Sequence, residues 1–250
     1  MNSNEELIGT TYSHVKYGDF QIIDYENSSR VKIRFIETGF ENFVSLGNIK
    51  KSKVRDYSIP SICGVGVFDG KYPSKIKGIP VKQHDIWSNM IHRCYNHKKH
   101  KVSPTYTKCS VSNNFKNYSY FYEWCEKQIG FSKKGFELDK DLLVKGNSEY
   151  NEDTCIFIPV EINLALVRRQ AKRGETPIGV SFVKGKYIAT VGLGEGRKKK
   201  IGIFNTENEA FQAYKQAKEQ YLKELAEKWK SEIDPRAYDA LINYQVEIMD

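Results

Sequence analysis

The sequence predicts a multidomain α+β protein. We expect an N-terminal small antiparallel β-barrel, a central α+β module with preceding helices, and a C-terminal three-stranded sheet packed on one helix. Three observations predict this fold class: short alternating strands fill the first 70 or so residues, aromatic helical patterns follow them, and hairpin signals return near residue 178. The expected domain boundaries are 1–70, 71–170 and 171–230, with a terminal helix in 231–250.

The N-terminal barrel is predicted from strands that are short and closely spaced. Residues 31–35 alternate apolar and charged side chains, which is the period of two of a half-buried strand. Residues 20–25 and 42–46 have the composition of strands, and turn residues separate the three runs. Short strands at this frequency are typical of a small antiparallel barrel.

The central module is predicted to begin with two helices. Residues 83–96 place five apolar side chains on one helical face, and residues 115–129 carry an aromatic stripe that we assign to the core. A strand at 136–143, a turn-rich loop, a strand at 154–159 and a short helix at 160–169 follow. The expected local order is therefore strand, loop, strand, helix.

The C-terminal sheet is predicted from two turns. A tight turn at 184–186 connects strands at 178–183 and 187–191, and a basic turn leads into a third strand at 200–204. A long helix follows this strand, because alanines and aromatic residues recur there at helical spacing.

The ends of the last two helices have their own signals. Thr206 and Glu209 have the spacing of a capping box, in which both side chains bond free amides at a helix start. Asp234 followed by Pro235 predicts the N-cap and first turn of a short terminal helix.

The net positive charge of the chain is confined to one segment. Between residues 168 and 204 there are ten lysines or arginines and two acids, a net +8 that equals the formal charge of the whole protein. A basic segment on a compact module predicts a surface for a polyanion, and nucleic acid is the commonest one inside cells. The cations that we expect to bind DNA are Arg168, Arg169, Lys172, Arg173, Lys184, Lys186, Arg197, Lys198, Lys199 and Lys200.

Cysteine spacing and hydropathy exclude several classes of protein. The five cysteines are widely spaced and form no CxxC pair, which argues against a disulfide framework and a zinc knuckle, and we expect them to be reduced and mostly buried. No apolar run approaches the ~20 residues of a membrane span, and no apolar leader is present. We therefore expect a cytoplasmic protein with no membrane partner, and the oligomeric state stays open.

A set of residues in the C-terminal module resembles the apetala-type DNA-binding domain, also called the ethylene-response-factor domain. The matching residues are Gly179, Val180, Gly185, Lys186, Tyr187, Ala189, Ile201, Gly202, Phe204, Thr206, Glu209, Ala210, Ala213, Tyr214 and Ala217. That family packs three antiparallel strands on one helix, and its sheet reads the major groove. The resemblance adds Tyr187 and Thr190 to the DNA-binding residues. Where the family places base-reading Arg or Trp, this chain has Ser181, Val183, Tyr187 and Thr190, so the resemblance implies binding through phosphate contacts.

A second set of residues, in the central module, resembles phage and prophage proteins related to HNH homing endonucleases. The matching residues are Trp87, Met90, Arg93, Cys94, Tyr95, Leu138, Asp139, Lys140, Asp141, Gly146, Asn147, Asp153, Thr154, Cys155, Phe157, Pro159, Ile162 and Asn163. This resemblance implies two strands and a helix that hold one divalent metal, Mg²⁺ or a similar ion, in a protein of a phage or a bacterial host cell. It implies Asp139 and Asn163 as metal ligands, and Asp153 near the Asn that braces the loop.

The family's general-base histidine is replaced by Lys140, which at its normal pKa is protonated at pH 7 and cannot take a proton from water. Three accounts stay open. The site is inactive, a base comes from His84 or His92, or Asp141 orients a metal-bound water. In a strand, Asp139 and Asp141 would share one face, where a metal or nearby lysines must compensate them, and Lys140 would point away.

The function that we expect is metal-dependent nicking or cutting of double-stranded DNA, with Asp139, Asp141, Asp153 and Asn163 as the catalytic set. The first alternative is an inactive DNA-binding or regulatory protein that keeps the HNH scaffold. A third option is an inhibitor or RNA-binding module that uses the same basic face.

Overall fold

The computed structural model describes residues 5–167, 176–194 and 196–248. These residues form two compact units: the first lies within Met1–Thr107 and Asn113–Tyr122, and the second within Lys108–Ser112 and Glu123–Asp250. The fold is mixed α and β, with several small sheets that are mostly antiparallel. The division into four domains stays a prediction.

The first unit contains six of the thirteen described strands. Its elements are two 3-10 helices (Glu5–Leu7 and Pro104–Tyr106), β1 (Thr11–His14), β2 (Gly18–Asn27), β3 (Arg30–Phe35), β4 (Glu41–Val44), α1 (Leu46–Lys50), β5 (Lys75–Ile76), β6 (Ile79–Pro80), α2 (Lys82–Tyr95), α3 (His97–Val102) and α4 (Asn113–Lys116). The boundary between the units falls within α5 (Tyr118–Glu126).

The second unit contains two parts of the chain that pack on each other. Its elements are β7 (Ser110–Val111), β8 (Phe136–Asp139), β9 (Glu149–Tyr150), β10 (Ile156–Pro159), α6 (Val160–Leu166), β11 (Val180–Val183), β12 (Lys186–Gly192), β13 (Lys198–Phe204), α7 (Glu207–Trp229) and α8 (Pro235–Ile242). β7 and β9 pair in parallel, and the other sheets of the unit are antiparallel.

The N-terminal sheet is open, so the predicted barrel is wrong. The four strands pair in the order β1, β2, β3, β4, and among the described residues β1 and β4 each pair on one side only. β2 and β3 bury their apolar residues on one face, with Phe20, Ile33 and Phe35 fully buried. Ile49 of α1 and Val54 complete this core. A helix and a loop therefore contribute to the core of the sheet where a closed barrel would need further strands.

The helices that precede β8 agree only in part with those predicted from the sequence. α2 is confirmed, and it buries Trp87, Met90 and Ile91 as the pattern predicts. The single helix expected over 115–129 is wrong, because the chain breaks at Asn117 into α4 and α5. Asn117 forms a parallel bridge with Val67, and the amide of the next residue donates to the carbonyl of Val67. A contact distant in sequence thus interrupts a segment that has local helical periodicity.

The central part of the second unit has the predicted order of strand, loop, strand and helix. β8 and β10 pair antiparallel, with Asp139 opposite Ile156, and α6 follows β10 directly. β10 is buried along its whole length, so this strand lies inside the unit. β8 ends at Asp139, four residues earlier than expected, because the chain turns there.

The C-terminal part of the second unit is a three-stranded antiparallel sheet in the order β11, β12, β13, with α7 packed on one face. The capping box is confirmed: Glu209 N donates to the Thr206 hydroxyl, and Thr206 N donates to the Glu209 carboxylate. The N-cap of α8 is confirmed as well, since Asp234 accepts from the amide of Arg236.

The second half of α7 packs on the central part of the same unit. The buried Lys218 donates from Nζ to the carbonyl oxygen of Ala165 in α6, at 2.5 Å, and burial lowers the pKa of this lysine to about 8. The ring of Trp229 lies edge-on to Phe136, and its Nε1 donates to Glu161. The sheet with its helix and the strand pair are therefore joined in one unit.

Two expectations from composition can be compared with the described residues. Among the cysteines, Cys94, Cys125 and Cys155 are buried, and Cys63 and Cys109 are half-buried. No helix within the described ranges is long and apolar enough to cross a membrane.

Candidate functional site

Asp139, the predicted metal ligand, is buried at the end of β8. It is 7% exposed, and its Oδ2 accepts hydrogen bonds from the amides of Asp141 (3.0 Å) and Leu142 (2.7 Å). Burial and the nearby carboxylate of Asp141 raise the pKa of Asp139 to about 6, although the two amides and Lys140 lower it. The side chain thus stabilises the turn that ends β8, in the manner of an Asx turn.

Lys140 and Asp141 lie beyond the strand, so strand alternation does not govern where they point. Lys140 Nζ is 3.2 Å from Asp141 Oδ2 and donates to the carbonyl oxygen of Asn147 at 2.8 Å. The expectation that Lys140 points away from the acids is wrong for Asp141. The side chain of Asp141 is about half exposed, so this pair contributes little to stability.

The loop between β8 and β10 is braced by two asparagines. Asn147 Nδ2 donates to the carbonyls of Lys140 and Glu149, and Asn151 Oδ1 accepts from the amide and hydroxyl of Thr154. Asp153, which we expected in the catalytic set, is exposed, and its amide donates to Asn151 Oδ1 at 3.1 Å. The two asparagines therefore stabilise the loop, and Asp153 lies in the turn that Asn151 holds through the Asp153 amide.

Asn163, the second expected metal ligand, lies on α6 and contacts β8. Its Nδ2 donates to Glu137 Oε2 at 2.7 Å. Glu137 and Asp139 are two residues apart in a strand and so share a face. Their environments differ, since Glu137 is exposed and Asp139 is buried.

Asp139 and Asn163, the metal ligands that the resemblance implies, both have hydrogen-bond partners within the protein. Oδ2 of Asp139 accepts from two backbone amides in a buried position, and Nδ2 of Asn163 donates to Glu137. Hard divalent cations take several oxygen ligands together. Within the described part of the chain, no three His, Cys, Asp or Glu side chains are grouped so that they could hold a metal ion.

The two histidines considered as alternative bases have structural partners in the first unit. The ring of His84 lies edge-on to Phe68 and Tyr118 at 5.7 and 5.2 Å between centroids. His92 Nδ1 is 3.2 Å from Cys63 Sγ. Burial lowers the pKa of both histidines. Sequence reasoning did not anticipate the contact with Cys63, which joins residues 29 positions apart.

The C-terminal sheet has one face covered by α7 and one face open. Tyr187, Ala189 and Val191 of β12 belong to the core formed with the helix. The alternate residues of β12 and their partners on the neighbouring strands point to the other side. We call this other side the open face; it is formed by Ser181, Val183, Lys186, Ile188, Thr190, Lys198, Lys200 and Ile203.

The open face carries cations, two hydroxyl groups and apolar side chains. Thr190 lies opposite Lys200, and Ser181 opposite Ile188. Val183 and Ile203, on the two edge strands, are apolar side chains that are 47% and 56% exposed. Because the face carries lysines around exposed apolar side chains, it has the composition of a binding surface for an anionic partner.

Charge on this part of the chain is of one sign. The described residues of 176–206 include six cations and no acid; Glu195 lies outside them. The six are Lys184, Lys186, Arg197, Lys198, Lys199 and Lys200. The predicted DNA-binding residues Arg168, Arg169, Lys172 and Arg173 also lie outside the described residues.

The residues of the predicted basic turn lie partly on the two faces of β13 and partly in the turn before it. Lys198 and Lys200 pair with Gly192 and Thr190, which places them on the open face, whereas Lys199 pairs with the buried Val191. Arg197 lies in the turn, where its amide donates to the carbonyl of Gly194.

Three further predicted residues surround the first hairpin. Lys186 lies on the open face, and its Nζ donates to Asn205 Oδ1 at 2.5 Å. Lys184 lies in the turn with a φ of 50°. Tyr187 packs toward the helix and contacts Phe182, with 4.7 Å between ring centroids, so we do not include it in the open face.

Sequence reasoning missed the apolar part of the open face. Ile188, Ile203 and Val183 were assigned to strands, but the face on which they lie depends on the register of three strands. A bulge between Ala189 and Thr190 shifts that register on β13. Alternation along a single strand cannot reveal such a shift.

The comparisons with known proteins add no relative. No protein-family model matches the chain, and comparison with curated proteins and with solved structures finds no match.

Proposed function

We propose that the chain binds double-stranded DNA through the open face of its C-terminal sheet. The observation that carries this proposal is the one-sided distribution of charge and exposure: α7 covers one face, and the other presents Lys186, Lys198 and Lys200 around exposed apolar side chains. Lysines that share one face of a sheet suit phosphates, which supply most of the affinity in sequence-independent binding.

The remaining side chains of the face suit a nucleic-acid groove. The hydroxyls of Ser181 and Thr190 can donate to or accept from base edges, and Ile188 and Ile203 can contact thymine methyl groups. Sheets of two or three strands read grooves in several classes of DNA-binding protein. The resemblance to the apetala-type domain supports the same use of this sheet.

For the strand pair and α6, we propose a scaffold role, which is the alternative to the nuclease that the sequence favoured. The contacts of Asp139 with two backbone amides support this proposal, because they account for a buried carboxylate by folding alone.

A salt titration tests the DNA-binding proposal. The double substitution Lys198→Gln and Lys200→Gln should reduce the slope of log affinity against log salt concentration by about 2, since each lysine that contacts a phosphate adds roughly 1 to the slope. Affinity would be measured by fluorescence anisotropy with a short labelled duplex over a range of salt concentrations.

The matched control changes the same charge elsewhere in the second unit. Lys127 and Lys134 are exposed and lie outside the sheet, so Lys127→Gln with Lys134→Gln should leave the slope unchanged. Equal slopes for the two double variants would contradict the open face as the contact surface. Absence of duplex binding by the native chain would contradict the function itself.

A further inference from the structure

The first unit carries a two-residue hairpin with an apolar end. β5 and β6 pair so that Ile76 lies directly opposite Ile79. Lys77 and Gly78 form the turn between them, both with positive φ (49° and 81°), as in a type I′ turn. Paired residues in antiparallel strands point to the same side, so the two isoleucines form one apolar tip.

This apolar tip is exposed. Ile76 is 60% exposed and Ile79 is 70% exposed, although isoleucine is among the residues most often buried in folded proteins. The two paired isoleucines at the end of the hairpin therefore form an apolar surface that the described residues leave exposed.

The base of the hairpin is fixed to the core of its unit. The amide of Val81 donates to the carbonyl of Ser74, and α2 begins at the next residue. The fully buried Tyr118 donates its hydroxyl hydrogen to the carbonyl of Pro73 at 3.0 Å. The tip is therefore presented by a rigid support and not by a free loop.

All the charged residues of the segment that carries the tip are lysines. Residues 71–82 contain four lysines and no acid: Lys71, Lys75, Lys77 and Lys82. Lys75 and Lys77 are exposed next to the isoleucines. An apolar tip with adjacent cations is complementary to nucleic-acid grooves, where phosphates border stacked bases.

We propose that this hairpin is a wedge for duplex DNA: Ile76 and Ile79 enter the minor groove against a base step, and the adjacent lysines contact the bordering phosphates. Apolar side chains inserted in this way partly unstack a step and bend the duplex. The inference rests on the proposed function, since it requires that the chain bind duplex DNA, but it assigns a second contact to the other unit.

The test uses the full chain and a duplex with 2-aminopurine at a flexible TA step, whose fluorescence rises when the base unstacks. We expect the native chain to raise this fluorescence. The variant Ile76→Ser with Ile79→Ser should abolish the rise and weaken binding by about tenfold, because unstacking offsets most of the gain from apolar burial. Its salt slope should be unchanged, since no charge is lost. Both positions are exposed, so circular dichroism should show an unchanged fold.

Lys77→Asn is the matched control at the same tip. Asparagine is favoured over lysine at the first position of a type I′ turn, so the hairpin is kept while one cation is removed. We expect the salt slope to fall by about 1 and the rise in fluorescence to remain.

The outcomes separate this inference from the proposed function. If the native chain binds the duplex but the isoleucine variant matches it in fluorescence and affinity, the wedge is wrong and the open face is unaffected. If the native chain does not bind the duplex, both fail. A third outcome is that the native chain cosediments with vesicles of phosphatidylcholine and phosphatidylglycerol and the isoleucine variant does not, while the two bind the duplex equally. The tip then contacts lipid, and the wedge is overturned.

Discussion

At the scale of the residue, Asp139 is a titratable side chain at the end of strand β8. Its carboxylate is desolvated, and the charge of Asp141 adds to the rise in its pKa, while two amide donors only partly stabilise the ionised form. A carboxyl whose pKa is raised to about 6 binds more protons in the folded chain than in the unfolded one. Ionisation of Asp139 therefore costs stability.

This linkage predicts how stability depends on pH. The contribution of Asp139 is fully present below its unfolded pKa of about 4, and it is lost as the pH rises through about 6. A shift of this size corresponds to at most about 3 kcal/mol. The variant Asp139→Asn keeps an acceptor for the two amides, and it should flatten the pH dependence between 4 and 7 in urea denaturation.

Two controls distinguish the carboxyl from its position. Asp141→Asn removes the neighbouring charge and so lowers the folded pKa of Asp139, and the loss of stability should therefore be smaller and end at a lower pH. Asp139→Ala removes the acceptor and should destabilise the chain at every pH by about 1–3 kcal/mol, because buried amides lose their partner. A pH profile of Asp139→Asn identical to that of the native chain would contradict the linkage.

At the scale of the element, the packing of the sheet on α7 depends on one glycine. Gly179 precedes β11 with a φ of +74°, and a Cβ atom there would lie 2.0 Å from Cδ2 of Tyr214. Tyr214 is buried in the core between the sheet and α7. The strand can approach the helix at this point only without a side chain.

Gly179→Ala should therefore destabilise the chain through both backbone strain and overpacking. A positive φ costs alanine about 1–2 kcal/mol, and overpacking adds about 1–3 kcal/mol. Gly185 has a similar φ of +77°, and no atom lies within 4 Å of the position that its Cβ would take, so Gly185→Ala should show the backbone cost alone. Equal losses in the free energy of unfolding for the two variants would contradict the contact with Tyr214.

Local sequence patterns correctly predicted the elements that are stabilised by residues close in sequence. The helix around Trp87 follows from its apolar face, and the start of α7 follows from the side chains of Thr206 and Glu209. The barrel and the helix over 115–129 failed for a different reason. Strand closure and the break at Asn117 depend on contacts between residues distant in sequence, which a local period does not contain.

The candidate site shows the same division. The cations of β13 are visible in the sequence as a basic run, yet pairing with β12 sends Lys198 and Lys200 to one face and Lys199 to the other. Asp139 is visible as an acid in a strand. Its hydrogen bonds to the amides of Asp141 and Leu142, and its burial, could not be inferred from spacing.

At the scale of the whole molecule, holding DNA and cutting DNA make different demands on the chain. Binding requires surface charge, which the open face provides with no acid among its residues. Hydrolysis of a phosphodiester by a metal requires ligands that are free to coordinate and a base that can accept a proton. Oδ2 of the buried Asp139 already accepts from two backbone amides, and Lys140 stands where the resemblance implies the general-base histidine.

We therefore expect the full chain to bind supercoiled plasmid without nicking it in the presence of Mg²⁺ or Mn²⁺. Gel electrophoresis after incubation with and without a chelator measures this directly. The variants Asp139→Asn and Asn163→Ala serve as controls, since a contaminating nuclease would nick equally in all three preparations. Metal-dependent nicking that disappears in both variants would show that these side chains leave their present partners to coordinate a metal, and the scaffold role would then be wrong.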